Sequence, residues 1–385
     1  MGGATAKAVK TAKIGTEEAG PAEIWAIGLM SGTSCDGVDA ALIRSDGHLI
    51  TAFGPALTLP YDDAFRAQLR QCLGGKGPLA EVERELTERH ATAVQMLLGR
   101  AGRSPREIGL IGFHGQTILH EPDRRRTWQI GDGPLLARRT GIDVVNDFRS
   151  DDVAAGGQGA PLAPILHDAL AGGLERPLAV LNLGGVGNVT WIGEESEVQR
   201  LIAFDTGPAN ALIDDWALRH TGRAVDLDGA LARAGKIDGD RLAAWLEHPY
   251  FALPVPKSLD RDAFQAFMPE GLSAADGAAT LTAFTVASVA QALRWLPQAP
   301  KRWLVTGGGR RNPVLMAALR AELKVSVEPV EAVGWDGDAL EAQAFAFMAV
   351  RAKAGLPISF PGTTGVPQPL TGGRLHPAVS AAAKQ

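Results

Sequence analysis

The chain has 385 residues, with 45% hydrophobic and 21% charged side chains and a net charge of −5; this is long for one compact domain and suits two. No basic excess marks a nucleic-acid partner, and no apolar run approaches the ~20 residues of a membrane span. The two cysteines, Cys35 and Cys72, rule out a disulfide scaffold or a cysteine-held zinc or iron–sulfur centre and fit a reducing, cytoplasmic setting.

Residues 1–22 are small and polar, without periodicity. They lack the apolar stretch of a secretory signal, and Ala6 stands where a myristoylation site needs Ser or Thr. They read as a disordered leader. From 24 onward, IWAIGLM predicts a buried strand, and VDAALIRS and HLITAFGPAL two more. Helices are expected at 61–73 and 79–100; on the second, Val82, Leu86, Ala93 and Leu97 share a face with His90 among them, a core histidine. Short strands at 108–113, 126–130 and 142–146 follow, with a helix near 134–140. A Gly-rich connection at 150–160 leads to a helix that Pro161 suits as first residue. The second half restarts with LAVLNL (178–183) and NVTWI (188–192) as strands, then helices at 208–220, 226–236, 239–247 and 273–296. WLVTGGG (303–309) reads as strand into turn, before helices at 311–322 and 337–352. The resulting division is an N-terminal α/β domain at 23–150, with part of the C-terminal segment packing back on it, and a C-terminal α/β domain at 151–385.

One internal repeat organises these elements. AIGLMSGTSCDGVDAALI and AVLNLGGVGNVTWI share a layout of apolar strand, small-residue turn and apolar strand. A duplicated α/β fold with a Gly-rich hairpin in each half would set the two turns facing across a cleft, as a polyphosphate clamp. The chain has 46 glycines against an average of about 7%, and three turns gather the informative ones. Gly32-Thr33-Ser34-Cys35-Asp36-Gly37 offers close backbone approach, two hydroxyls and a carboxylate able to hold magnesium directly or through water; it is neither a Walker A nor a GxGxxG loop, and Asp-Gly alone also suits a plain hairpin. Gly184-Gly185-Val186-Gly187-Asn188 carries backbone donors and one amide. Thr306-Gly307-Gly308-Gly309-Arg310-Arg311-Asn312 passes from strand to helix, where three glycines admit a flat ring or a phosphate.

Two roles are open for Asp205 in AFDTGPAN: the N-cap of the helix that follows, or a general base at the mouth of a cleft. GFHGQT (112–117) puts polar side chains at the end of a strand, suited to sugar hydroxyls, with His114 read as structural. Glu341 in DALEAQAFAF begins a helix whose alanine-rich face must pack closely; a macrodipole partner is its simplest role.

Taken in order, GLMSGTSCDGVDAALI, FHGQTILHEP, QIGDGPLLARRTGIDVVNDFR, DVAAGGQGAPLAP, LNLGGVGNVT, FDTGPANALIDDW, TGGGRRNPVLM and DALEAQAFAF resemble the 1,6-anhydro-N-acetylmuramic acid kinase family, from about Trp25 to about Gly365. The resemblance implies a duplicated actin/Hsp70/hexokinase-like (ribonuclease H-like) fold with a central cleft. It implies a cytoplasmic, homodimeric, ATP- and Mg²⁺-dependent enzyme of cell-wall recycling that opens an anhydro amino sugar and phosphorylates O6. An ordinary sugar kinase, or a non-metabolic ATPase of the actin/Hsp70 class, is the alternative. By motif match, Gly32, Thr33, Ser34, Cys35, Asp36, Gly37, Val38 and Asp39, with Gly184, Gly185 and Asn188, are the phosphate loops, and Asp36 is the magnesium residue. Gly307, Gly308, Gly309 and Asn312 border the nucleoside; Asp205 is the catalytic carboxylate; Gln116, Thr117 and Glu341 line the sugar pocket. The chain departs from the family pattern at Cys35, Gly187 and Ala209, and after Lys257-Ser258 it lacks the family's Thr-Gly, so no ligand role carries over to that pair.

Overall fold

The computed structural model describes residues 22–32, 34–197, 199–259, 264 and 266–378; the leader and Thr33 of the first loop lie outside them. Three strands, β1 (Ile24–Ser31), β2 (Gly37–Ser45) and β3 (Ile50–Pro60), form an antiparallel meander. Helices α1 (Asp63–Gln71) and α2 (Leu79–Ala101) cross back to β4 (Leu110–Glu121), which lies parallel to β1 and carries the hairpin partner β5 (Arg126–Ile130). Helix α3 (Gly133–Thr140) leads to β6 (Val144–Asn146), parallel to β4. Two short helices, α4 (Ser150–Ala154) and α5 (Pro164–Leu170), end the first half.

The second half repeats the plan. The strands β7 (Leu178–Leu183), β8 (Val186–Ile192) and β9 (Leu201–Pro208) are an antiparallel meander. A helical layer follows: α6 (Asn210–Thr221), α7 (Ala230–Ala234), α8 (Gly239–Leu246) and α9 (Ala274–Ala292). Then β10 (Arg302–Thr306), α10 (Pro313–Leu323) and β11 (Ser326–Pro329) add two parallel strands beside β7. Helix α11 (Leu340–Lys353) and strand β12 (Arg374–His376) complete the described chain. The sheets run β12-β6-β4-β1-β2-β3 and β11-β10-β7-β8-β9. With β12 and the hairpin strand β5 set aside, both have the order third-second-first-fourth-fifth, so the duplicated α/β fold expected of the sequence is written in the topology itself.

Helix α11 joins the halves. It packs on β1, β2 and β4, and β12 pairs antiparallel with β6, so two C-terminal elements sit on the first sheet. One buried cluster holds Ala26, Ile43 and Leu110 of that sheet, Leu178, Val180 and Leu304 of the other, and Ala344 to Val350 of the helix. The contact is close because Gly28 and Gly112, paired across β1 and β4, have no side chain: a Cβ would lie 1.7 Å from the Ala342 carbonyl oxygen at Gly28 and 2.0 Å from that of Phe345 at Gly112. The alanine-rich face expected to pack closely does so, and Gly28 is one of the glycines that allow it.

Some boundaries differ from expectation. Strand β4 continues past 113 through His114, Gln116 and Thr117, because Gly115 takes φ +71° within the strand and β5 pairs with its far end. The helix after the Gly-rich connection starts at Pro164, not Pro161. The expectation of a plain connection at 150–160 missed α4. Strand β9 was not foreseen either: Asp205 and Gly207 interrupt its apolar run, and only pairing with β8 reveals it. His90 is fully buried, its ring against Phe113, and burial lowers its pKa to about 4, as a core histidine requires.

Candidate active site

Asp205 lies inside β9. Opposite it the β8–β9 register shifts, so that Asn188 pairs with Asp205 and Gly187 with Gly207; such a bulge turns a side chain away from regular alternation. The helix-cap alternative is excluded, because Ala209 occupies the cap of α6 and no side chain caps it. Three hydrogen bonds from one segment hold the aspartate: its N–H donates to the Lys257 carbonyl (3.0 Å), the Tyr250 hydroxyl donates to its carbonyl (2.6 Å), and the Leu259 N–H donates to Oδ2 (2.7 Å). The side chain keeps partial access to solvent, but crowding by protein raises its pKa to about 7, against the pull of the Leu259 N–H and the positive charges of Arg149 and Lys257. A carboxylate with that pKa is matched to proton abstraction near neutrality.

Arg149, just past β6, is the residue the sequence reading missed. Its Nε and Nη2 lie 3.2 and 3.1 Å from His114 Nε2, and Nη1 donates to the Gly159 carbonyl (2.9 Å). His114 Nδ1 is 2.8 Å from the Gly115 carbonyl, so Nδ1 carries the proton and Nε2 accepts from the guanidinium. Burial, then the Arg149 charge, holds the imidazole pKa far below its usual range. His114 is therefore structural, as expected, and what it structures is an arginine. Burial also lowers the Arg149 pKa, countered by Glu341, Asp152 and Asp205, which makes the guanidinium the common neighbour of both candidate carboxylates. The sequence signals were its place after a buried strand, in NDFRSDD, and at the end of the family-like stretch QIGDGPLLARRTGIDVVNDFR.

Glu341, on the first turn of α11, accepts from Asn182 Nδ2 at 3.3 Å. Solvent reaches it, yet surrounding protein and then the like charges of Asp39 and Asp36 push its pKa up, while Arg149 pulls it down. Asp39 on β2 accepts from the Thr58 hydroxyl at 2.5 Å; its pKa is raised by burial, then by Asp36 and Asp338. The start of α11 thus stands between the first loop, through Asp36 and Asp39, and the strand β7 that leads to Gly184.

The second and third turns adjoin one another. Asn210 Nδ2 donates to the Leu183 carbonyl (2.7 Å), and the carbonyls of Gly184 and Gly185 accept the first N–H groups of the α6 region. Gly307 has φ +76°, and a Cβ there would lie 2.3 Å from Asn182 Oδ1; one on Gly309 would lie 2.6 Å from the Leu183 Cβ. The Asn312 side chain caps α10, accepting from Val314 and Leu315. Ser34 and Asp36 are exposed, whereas Cys35, Gly37 and Val38 are buried under the loop. Gln116 is wholly buried: it accepts from the Ser31 hydroxyl (2.7 Å) and donates to the Gly32 carbonyl (3.1 Å), so it braces the first loop in this state rather than facing open space. Thr117 is half-buried and accepts from Gln129 Nε2. Among the described residues, no three His, Cys, Asp or Glu side chains are grouped to hold a metal by themselves, and no helix is long and apolar enough to cross a membrane.

The family model described as anhydro-N-acetylmuramic acid kinase matches residues 24–378. A protein of that name from Rhodospirillum rubrum is 62% identical over 362 residues, covering 93% of this chain and 95% of the relative. Another from Paramagnetospirillum magneticum is 62% identical over 354 residues, covering 91% and 99%. One from Acidiphilium cryptum is 58% identical over 360 residues, covering 91% and 97%.

Proposed function

The chain belongs to the anhydro-N-acetylmuramic acid kinase family, and from that premise we propose that Asp205 is the base that activates water while the sugar's O6 receives the phosphoryl group of ATP. The observation that carries this reading is the seat of Asp205 in β9, its Oδ2 held by the Leu259 N–H and its main chain by Tyr250 and Lys257, with the Arg149 guanidinium, fixed by His114 and Gly159, acting on its charge and on that of Glu341.

In an anhydro sugar, O6 is tied to C1 in an intramolecular acetal. Expelling an alkoxide from C1 is difficult unless its developing charge is captured. A glycosidase protonates the leaving oxygen with one carboxylic acid and activates water with another. Here the phosphoryl group replaces the acid. Water attacks C1 and gives its proton to Asp205; the C1–O6 bond breaks and its electron pair passes to O6. O6 bonds to the γ-phosphorus as the bond to ADP breaks. The products are N-acetylmuramic acid 6-phosphate and ADP. Arg149 balances negative charge between Asp205 and Glu341, and Glu341 orients the sugar; with Thr117 it forms the sugar side of the cleft, while Gln116 serves that side from beneath by bracing the first loop.

The nucleotide side is formed by Gly32 to Asp39, by Gly184, Gly185 and Asn188, and by Gly307 to Gly309 with Asn312. The residues present fit a magnesium ion that arrives with the nucleotide, since Mg²⁺ takes one or two carboxylates and completes its shell with phosphate oxygens and water. Asp36 would hold it, with Asp39 beside it; when bound, the ion neutralises charge on the phosphates. We take 23–150, with α11 and β12 of the C-terminal segment packed back on it, and the rest of 151–385 as the two domains that close on the substrates, and the enzyme as a cytoplasmic homodimer acting in cell-wall recycling. Coupled ADP release with the anhydro sugar and with free N-acetylmuramic acid tests the reading. Turnover of the anhydro sugar alone is expected; equal turnover of the free sugar would make this an ordinary hydroxyl kinase.

A further inference from the structure

We propose that Lys257 is a positioning residue for the reaction: its buried ammonium closes a ring of hydrogen bonds around the Asp205 main chain and sets a positive charge beside the carboxylate. The inference rests on the reading of Asp205 as the base.

The ring can be followed atom by atom. Lys257 Nζ donates to the Tyr250 carbonyl at 2.9 Å, with the Phe251 carbonyl 3.4 Å away. The Tyr250 hydroxyl donates to the Asp205 carbonyl at 2.6 Å, and the Asp205 N–H returns to the Lys257 carbonyl at 3.0 Å. Two residues further on, the Leu259 N–H holds Oδ2. Both main-chain groups of the aspartate and one carboxylate oxygen are thereby tied to residues 250–259. The lysine stem and head pin the two ends of that segment together.

A neutral side chain of equal length would fill this space without the cost of burying a charge. Lys257 is only 7% exposed, and among the described residues its ammonium meets main-chain carbonyls, not a carboxylate. Its head lies 4.5 Å from the Tyr250 ring centre and 5.6 Å from that of Trp295, which is a cation–π seat. The charged groups facing it are Arg294, which also donates to the Phe251 carbonyl, and Asp205; burial and Arg294 lower its pKa to about 8, and Asp205 opposes them. The groups facing Asp205 are Arg149 from beyond β6 and Lys257 from the 250–259 segment, both favouring the ionised form. The Tyr250 hydroxyl is held protonated by burial and by Asp205, so it remains a donor.

The test is the pH dependence of kcat for Lys257→Met and Tyr250→Phe beside the natural protein. Lys257→Met removes both the clamp and the charge. It should lower kcat about 30-fold, leave KM for ATP within about twofold, and move the acidic limb up by about half a pH unit or more, because Asp205 loses a neighbouring cation. Tyr250→Phe opens the ring but keeps the ammonium. It should lower kcat about fivefold with the acidic limb in place. A folded Lys257→Met protein, shown by an unchanged melting profile and ADP affinity, whose limb has not moved overturns the inference. Should Lys257→Met fail to fold, an unaltered kcat in Tyr250→Phe overturns it instead. Failure of the parent reading looks different: Asp205→Asn would itself retain turnover.

Discussion

Strands β3 and β9 are counterparts, each the third strand of a meander and the last in its sheet, yet they are treated in opposite ways. β3 is exposed or half-buried everywhere but at Leu57, with Phe53 half exposed. β9 is buried along almost its whole length, because α9 packs on it, Gly362 accepts from the Ala203 N–H, and the 250–259 segment clasps Asp205. Both meanders contain register shifts, so irregular pairing alone does not separate them. The difference lies in what covers the edge. A carboxylate on an open edge is solvated and keeps an ordinary pKa; the same group clasped by a covering segment loses water and becomes a base near neutrality. The duplicated fold provides two similar hairpins, and the inserted 250–259 segment decides which one holds the base.

Changing the covered strand should have the largest effect. Asp205→Asn is expected to reduce turnover by about 10³-fold or more while ADP affinity, read by calorimetry, stays within about twofold. The same substitution should stabilise the fold in alkaline solution. The folded carboxyl titrates at about 7 and its ordinary value is 3.8, so the stability associated with the protonated form is present at low pH and lost as pH rises toward 7. Thermal melts should show the variant gaining most above pH 7 and least below pH 4.

Arg149→Met comes next, with kcat reduced about 100-fold, because His114 and Gly159 fix a guanidinium whose charge acts on both carboxylates. In the first hairpin, Asp36→Ala should raise the apparent KM for Mg·ATP about tenfold with KM for the sugar unaltered; a selective sugar defect would contradict its role. The smallest effect belongs to the open strand itself. Thr58→Val on β3 removes the hydroxyl on Asp39 and should change kcat by about threefold at most, a loss as large as that of Arg149→Met being the outcome that breaks the comparison.

The repeat was legible in the sequence because β1 and β7 open as apolar runs that lead into small-residue turns, with a second largely apolar run, VDAALI or VTWI, beyond each. The same criterion concealed β9, whose run is broken at the residue that matters most. The close packing of α11 was legible from its alanines, but not its partners, since Gly28 and Gly112 are 84 positions apart and meet only through the parallel pairing of β1 and β4. Likewise the site's carboxylates could be given roles by motif, whereas Arg149, although it ends one of the matching stretches, could not. Its importance arises from His114, 35 residues earlier, and from Glu341, almost 200 later. Glycines carried two messages that composition could not separate: some open the turns, and others let a helix approach a sheet.

The central claim is that water opens the sugar at C1 as O6 takes the phosphoryl group. Turnover in ¹⁸O-water, stopped before the product's anomeric oxygen exchanges with solvent, tests it most directly. Mass spectrometry of the sugar phosphate should find one heavy oxygen at C1 and none on phosphorus. A product with an unlabelled C1 oxygen, or with label in the phosphoryl group, would contradict the account.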